Sequence, residues 1–385
     1  MKRIYLDYNA TTPQADEVTE AMLPYFRERY GNASSPHLFG REARGGLERA
    51  RERVAALIGA DTREIIFTSG ATESNNALIK GIARKKRDAG RHIITTAVEH
   101  HSVLAPCKAL EREGFEVTYL GVDSYGVIDL DQLRDALRDD TVLVTVMSAN
   151  NETGTLQPIE EIATLVRERN SVFHTDAVQQ AGKLPLDVKE LHVDALSLSA
   201  HKFYGPKGVG ALYVRRGVVI PPLLEGGHHE RNLRAGTENI AGIVGMGRAA
   251  ELARERMEND RVLVTSLRER LHREITQRIS DVVVNGHPER RLPNTLNVSF
   301  RYVEGESVIL SLDMKGIAVA SGSACTSGSL EASHVLLAMG VPPEQAYSSV
   351  RFSLGRYTTA EEIDCLVKEL PSIIERLRSI STFSR

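Results

Sequence analysis

The stretch that decides the fold class runs from Ser199 to Arg215 and reads SAHKFYGPKGVGALYVR. The apolar run 195–199 leads into it and predicts a buried strand, and residues 209–214 predict another strand. Lys202 follows the first strand directly. Earlier in the chain, short apolar runs with the same polar or glycine-rich endings occur at 64–68, 92–96, 117–120, 141–147 and 171–174. Charged amphipathic segments lie between them, such as 102–113, 131–138 and 159–169. This alternation predicts an α/β domain with a mostly parallel, seven-stranded sheet.

The pattern changes after about residue 241. A long helix rich in Arg and Glu is predicted at 247–279. Strands at 295–300, 317–320 and 349–354 then alternate with helices at 306–314, 332–339 and 359–379. This is typical of a compact α+β unit. We therefore expect a large α/β domain over residues 15–250 and a smaller α+β domain formed by residues 1–14 and 251–385.

The composition is that of a globular enzyme. Of 385 residues, 42% are hydrophobic and 26% charged, which excludes disordered and fibrous classes. The chain has 48 basic and 51 acidic residues, a net charge of −3, so nucleic-acid binding is not expected. No apolar run approaches the roughly 20 residues of a membrane span, and the start has no apolar signal-peptide core. We expect a cytoplasmic protein without membrane association.

The three cysteines are Cys107, Cys325 and Cys365. An odd, sparse set argues for a reducing compartment and against a disulfide framework. Cys107 and Cys365 lie in predicted helices with apolar neighbours, and core packing is expected for both. Cys325 lies instead in the run SGSACTSGS from Ser321, whose small, flexible residues pack poorly and predict a surface loop.

Ligands of open α/β sheets bind at the carboxyl ends of the strands, so the residues after each strand are the candidates. Residues 69–75 form a small-residue turn that leads into a helix, and the unpaired N–H groups there suit a phosphate. Ordinary N-capping by Ser69 or Thr72 is the alternative. His100 could stack on a planar ring or move a proton, or be a simple loop histidine.

The next strand ends carry amides, a carboxylate and a lysine. Asn150 and Asn151 could make a turn, or hold a carboxylate or a phenolic oxygen. Asp176 ends a buried strand and needs a partner, either a protonated ring nitrogen or a nearby Arg or helix N-terminus. Lys202 could be a solvated lysine or, when buried, a nucleophile that forms Schiff bases. Together these groups predict pyridoxal 5'-phosphate, with Lys202 forming the aldimine, Asp176 holding the pyridine nitrogen and His100 covering the ring.

The chain resembles cysteine desulfurases of the NifS/IscS type, within the class V aminotransferase group of fold type I pyridoxal-phosphate enzymes. The resemblance runs nearly end to end. It rests on YLDYNATTP (from Tyr5), FTSGATESNN (Phe67), VEHHSVL (Val98), NNETG (Asn150), HTDAVQ (His174), SAHKFYGPKGVGALYVR (Ser199), RAGTEN (Arg234), NVSF (Asn297), SGSACTSGS (Ser321) and VRFSLGR (Val350). Departures are small: many relatives have Gly at the position of Ala200, and a Gly- and Gln-bearing run at 226–230.

The resemblance implies roles for the matching residues. Thr72, Ser199, His201 and the backbone at Ala71 would hold the phosphate. Thr237 would reach the phosphate of the partner subunit, which implies a homodimer. Gln179 would bind the phenolic oxygen of the cofactor, and Asn151 and Arg351 the substrate carboxylate. The pattern agrees for Arg351, which alternates with the apolar Val350 and Phe352, although a solvated strand face would show the same pattern.

The implied activity is conversion of L-cysteine to L-alanine, with the sulfur transferred to Cys325 as a persulfide. Lys202, Cys325 and His100 would be catalytic. The expected destination of the sulfur is an iron–sulfur scaffold protein, with tRNA thiolation equally compatible. No resident metal is expected, although Cys325 could transiently ligate an iron–sulfur cluster. A selenocysteine lyase or another class V enzyme such as an aminotransferase is the alternative, but neither needs a loop cysteine.

Overall fold

The computed structural model describes residues 3–321 and 332–381, so Cys325 lies outside the described residues. The described strands are β1 (Ile4–Tyr5), β2 (Ile65–Thr68), β3 (His92–Thr96), β4 (Glu116–Leu120), β5 (Thr141–Thr145), β6 (Val172–Asp176), β7 (Ala195–Ser199), β8 (Gly210–Val214), β9 (Val282–Asn285), β10 (Thr295–Phe300), β11 (Ile317–Ala318) and β12 (Ser349–Ser353). The described α-helices are α1 (Asp16–Met22), α2 (Pro24–Arg27), α3 (Leu38–Leu57), α4 (Ala71–Lys85), α5 (His101–Arg112), α6 (Leu130–Ala136), α7 (Ile159–Arg167), α8 (Ile240–Arg278), α9 (Gly305–Asp313), α10 (His334–Ala338), α11 (Pro343–Tyr347) and α12 (Ala360–Ile380).

The central sheet has seven strands in the order β2-β8-β7-β6-β5-β3-β4. All neighbours are parallel except β8, which runs antiparallel to β2 and β7. Apart from the edge strand β4, the strands are buried on both faces. In β2, for example, Ile65 and Phe67 belong to one hydrophobic cluster and Ile66 to another. The structure thus confirms the predicted mostly parallel, seven-stranded α/β sheet.

A second hydrophobic cluster contains residues from both the N-terminal and the C-terminal parts of the chain. A three-stranded antiparallel sheet, β12-β10-β9, packs there with α12, and β1 pairs in parallel with β11. Ile4 and Leu6 share this cluster with residues of β10, β12 and α12. Helix α8 contributes Ile243 to the large cluster and Val264 to this one. The division into two domains at residues 14 and 250 stays a prediction.

Helix α8 begins at Ile240, seven residues before the predicted start, although the stretch 240–247 contains three glycines. The glycines allow close packing against α1 and α3 rather than ending the helix. A Cβ at Gly247 would lie only 2.5 Å from the Cα of Ala50 in α3. Tertiary packing therefore outweighs the low intrinsic helix propensity of glycine here.

The two described cysteines differ in burial. Cys107 is buried, as predicted. The prediction for Cys365 is wrong, because it is exposed. The buried stripe of α12 includes Ile363, Leu366 and Leu370, and Cys365 falls outside the 3.6-residue period of that stripe. Within residues 3–321 and 332–381, no helix is long and apolar enough to cross a membrane.

Candidate active site

A cavity of about 510 Å³ opens at the carboxyl edge of the central sheet. The structure brings most of the predicted site residues to its wall. These are Ala71, Thr72, His100, Asn151, Asp176, Gln179, Ser199, His201, Lys202 and Arg351. The cavity therefore lies where parallel sheets present their functional side chains.

The N-terminus of α4 forms a cup at one end of the cavity. Its N-cap is Gly70, and neither Ser69 nor Thr72 caps the helix with its side chain. The wall also contains Glu73, but Arg234 binds this carboxylate at 2.9 Å and the Ser69 N–H donates to it at 2.8 Å. Although burial raises the pKa of Glu73, these partners lower it overall. The negative charge of Glu73 is thus already balanced by Arg234, and the helix terminus suits an anion.

The carboxylate of Asp176 lies at the end of β6 and is buried. Asn75 Nδ2 donates to its Oδ2 at 2.7 Å, and the Val178 N–H donates to its Oδ1 at 3.0 Å. Neither donor is the arginine or helix N-terminus considered from the sequence. Two neutral donors leave most of the negative charge uncompensated, so the carboxylate is well suited to bind a protonated ring nitrogen in the cavity.

His100 is the N-cap of α5, and its ring is held by Ser102. The Ser102 N–H donates to Nδ1 at 3.1 Å, and the Ser102 hydroxyl lies 2.8 Å from the same nitrogen. Because Nδ1 accepts a hydrogen bond, the neutral ring carries its proton on Nε2. Burial lowers the pKa of His100, Asp176 opposes the shift, and Lys202 adds to it. The neutral imidazole can both lie against a ring and exchange a proton.

Lys202 ends a short 3₁₀ turn directly after β7. Thr12 braces the turn through its N–H and hydroxyl, both 3.0 Å from the His201 carbonyl oxygen. The Lys202 ammonium donates to the carbonyl oxygens of Asn9 and Ala10 at 2.6 and 2.7 Å. The side chain is therefore held in place at the cavity wall and is not a freely solvated lysine.

His201 extends into the same part of the cavity. Burial, with the charges of Lys202, Lys207 and Lys183, lowers the pKa of His201 to about 4. Its ring is therefore neutral at physiological pH. A neutral ring offers a hydrogen bond to a phosphate without adding a formal charge.

Arg351 comes from β12, outside the central sheet, and is only 3% exposed. The solvated-face interpretation is therefore wrong. Its Nη2 binds Asp7 at 2.8 Å, and its Nη1 donates to the Asn151 carbonyl oxygen at 3.0 Å. Its buried Nε has no hydrogen-bond partner within the described residues. An unused donor on a rigid guanidinium at the cavity wall suits a carboxylate ligand.

The two asparagines of NNETG have different places. The Asn150 side chain makes the turn: its Oδ1 accepts the N–H groups of Glu152 and Thr153, and its Nδ2 donates to the Val98 carbonyl oxygen. Asn151 lines the cavity. The turn interpretation therefore applies to Asn150.

Thr237 is the described site candidate that the fold keeps out of the main cavity. It lines a neighbouring cavity of about 150 Å³, which shares Ser69 and Gly208 with the larger one. Its role stays a prediction, as does that of Cys325.

Several functional neighbours carry no signal that sequence reasoning could use alone. Asn9 contributes the carbonyl oxygen that binds Lys202, and its Nδ2 donates to the Asn151 carbonyl oxygen at 3.0 Å. It lies 193 residues from Lys202, so only the tertiary fold brings the two together. Asn75 had a weak signal, since it lies four residues after Ala71 and so shares its helix face.

Glu99 is a fully buried acid beneath the site. Its Oε1 accepts from the Met147 N–H and the Thr96 hydroxyl, and its Oε2 has no partner within the described residues. Burial, with the charge of Asp176, raises the pKa of Glu99 to about 8. The carboxyl is therefore protonated at neutral pH.

We expect Glu99→Gln to stabilise the protein more at pH 8.5 than at pH 6. The wild-type carboxyl binds its proton more tightly folded than unfolded, so its stabilising contribution is lost as pH rises from about 4.5 through about 8. Glutamine stays neutral throughout. Thermal unfolding at the two pH values measures the difference, and Glu160→Gln, at an exposed residue, is the control. An equal effect of Glu99→Gln at both pH values would contradict the raised pKa.

The donor set fits pyridoxal 5'-phosphate. The cup at α4 would hold the phosphate with Thr72, Ser199 and His201. Asp176 would bind the pyridine nitrogen, His100 would cover the ring, and Lys202 lies at the wall as the amine for covalent attachment. The unpaired Arg351 Nε and the cavity volume leave room for an amino-acid carboxylate beside it.

The comparisons with known proteins agree with this chemistry. The model of the class-V aminotransferase family matches residues 4–366. A protein of Dictyoglomus turgidum named cysteine desulfurase IscS is 56% identical, over 100% of this chain and 98% of that relative. A solved structure of a NifS-like protein has a TM-score of 0.92 at 43% identity, covering 98% of this chain and 100% of that chain. SspA, solved in complex with cysteine, has a TM-score of 0.82 at 38% identity, covering 93% and 100%.

Proposed function

Since the chain belongs to the class-V aminotransferase family, we propose that it is a pyridoxal-phosphate-dependent cysteine desulfurase. It converts L-cysteine to L-alanine and leaves the sulfur on Cys325 as a persulfide. The observation that carries the proposal is the convergence of Lys202, Asp176 and Arg351 on one cavity above a helix N-terminus. A lysine, a ring-nitrogen carboxylate, a phosphate cup and a substrate-carboxylate arginine are the parts that this reaction needs.

Each of these residues of the cavity wall has a role in the reaction that follows from its position. Arg351 and Asn151 bind the substrate carboxylate, which places the Cα near the Lys202 amine. Bound pyridoxal phosphate supplies the electron sink for the charge that develops at this carbon. The neutral Lys202 amine takes the Cα proton, and His100, protonated on Nε2, exchanges a proton with the reacting groups.

The Cys325 thiolate then attacks the substrate sulfur. A sulfur–sulfur bond forms, the substrate carbon–sulfur bond breaks, and its electron pair stays on the organic fragment, which is protonated to alanine. The products are L-alanine and a Cys325 persulfide. The acceptor is an iron–sulfur scaffold protein, with tRNA thiolation as the alternative destination.

We also propose a homodimer. Five large apolar side chains between residues 23 and 39 are exposed, and they form an uncovered surface of the kind that marks association: Leu23, Phe26, Tyr30, Leu38 and Phe39. Thr237 lies in a cavity beside the cofactor cup. Its hydroxyl would reach the phosphate bound by the partner subunit.

The first test is incubation of the reconstituted protein with L-cysteine and a reductant. Equal amounts of alanine and sulfide are expected. Cys325→Ser should keep the absorbance of the bound cofactor and lose sulfide release, because serine cannot accept the sulfur. Cys365→Ser, a change of an exposed cysteine, is the control and should keep full activity. Full sulfide release by Cys325→Ser would disprove the persulfide role.

A further inference from the structure

Lys183 is a second lysine beside the site, and the reaction described above does not use it. It follows β6, four residues after Gln179. Its ammonium donates to the Gln179 backbone oxygen at 2.8 Å and to the Gln179 side-chain oxygen at 3.2 Å. Burial, with the charges of Lys202 and Arg351, lowers the pKa of Lys183 to about 7.

The ammonium determines which end of the Gln179 amide faces the site. A lysine ammonium has only donors, so the oxygen of the amide must face Lys183. The amide NH₂ then points the other way and donates to the Asn9 carbonyl oxygen at 3.0 Å. Lys202 donates to this same oxygen at 2.6 Å. A short hydrogen-bonded chain thus joins Lys183 to Lys202 through Gln179 and Asn9.

The two lysines also line a small cavity of about 30 Å³. Its other titratable groups are Tyr8, Tyr204, Asp260, Arg261 and Arg356. The carboxylate of Asp260 is paired with Arg356 at 2.7 Å, so it is already engaged away from the lysines.

On the cofactor side, Lys202 shares the large cavity with six further titratable groups: Glu73, His100, Asp176, His201, Lys207 and Arg351. Glu73 is bound by Arg234, and His100 and His201 have lowered pKa values. Of these groups, His201 is itself affected by Lys183, because the charge of Lys183 lowers the pKa of His201.

We propose that Lys183 is a positioning residue that holds the Gln179 amide with its NH₂ group towards the cofactor site, and that the protonated form of Lys183 favours the neutral form of the Lys202 amine. The part of the inference that concerns the cofactor rests on the proposed function, because the Gln179 NH₂ would donate to the phenolic oxygen of pyridoxal phosphate. The part that concerns the Lys202 amine is independent of the proposed function.

The first test uses the full chain without cofactor. Labelling of Lys202 by acetic anhydride is followed against pH and quantified by peptide mass spectrometry. In Lys183→Met, labelling of Lys202 at pH 6, where wild-type Lys183 is protonated, should be about tenfold slower, because a neighbouring like charge is removed. A tenfold change corresponds to about one pH unit in the pKa of the Lys202 amine. Lys183→Arg keeps the charge and should stay close to wild type.

An unchanged rate of Lys202 labelling at pH 6 in a folded Lys183→Met protein would overturn the charge effect. If that variant fails to fold, Lys183→Gln gives the same test, since it keeps a donor for Gln179 and lacks the charge. This readout needs neither cofactor nor substrate. It therefore fails or succeeds independently of the desulfurase proposal, which the alanine and sulfide assay tests with the wild-type protein.

The second test asks whether Lys183 acts through Gln179 once the cofactor is bound. Lys183→Met should move the pH midpoint of the cofactor absorbance to higher pH. Removing the amide in Gln179→Ala should reduce this shift, because the two side chains act as one unit. Equal shifts in the presence and absence of the Gln179 amide would show that orientation of the amide plays no part.

Discussion

Lys202→Ala is expected to yield a folded protein without covalently attached pyridoxal phosphate and with at least about 10³-fold lower desulfuration. The variant removes both the amine for attachment and the base for the Cα proton. The turn should survive, because Thr12 braces it through the backbone oxygen of His201 and not through the lysine side chain.

Reduction with borohydride followed by peptide mapping measures this directly. In wild type, the reduced cofactor should be found on the peptide that contains Lys202. In Lys202→Ala, no stoichiometric attachment should remain. Lys189→Ala, at an exposed lysine thirteen residues earlier, is the matched control. Normal attachment and activity in Lys202→Ala would disprove the central assignment.

Arg351→Lys is expected to raise the KM for L-cysteine about 10- to 100-fold and to leave the cofactor absorbance unchanged. Lysine keeps the positive charge and can still pair with Asp7, but it loses the planar set of donors that includes the unpaired Nε. Losing hydrogen bonds to a charged ligand costs about 1.5–3 kcal/mol.

The matched control is Arg268→Lys, another buried arginine that donates to a backbone oxygen and lies outside the cavity. It should change stability but not KM. Steady-state kinetics with cysteine give the KM of both variants. A wild-type KM in Arg351→Lys would mean that the substrate carboxylate is held elsewhere.

Local sequence patterns were sufficient to predict most helices and strands and the candidate site residues that follow the strands. Strands β3, β7 and β10 begin and end where the sequence predicts them, and every residue in them is buried. Asp176 and Lys202 could be found because parallel strands deliver the residues at their carboxyl ends to one edge. The resemblance to a known family supplied the roles that chemistry alone left open.

Only the tertiary structure decided what those residues touch. The partners of Lys202 and Arg351 are Asn9, Ala10 and Asp7, which lie between 192 and 344 residues away along the chain. No local pattern records such pairs, since they depend on how the N-terminal segment packs between β7 and β12. The exposure of Cys365 and the charge environment of Lys183 are decided in the same way. Burial and nearby charge are properties of the packed chain, and they set the chemistry of a side chain that the sequence only names.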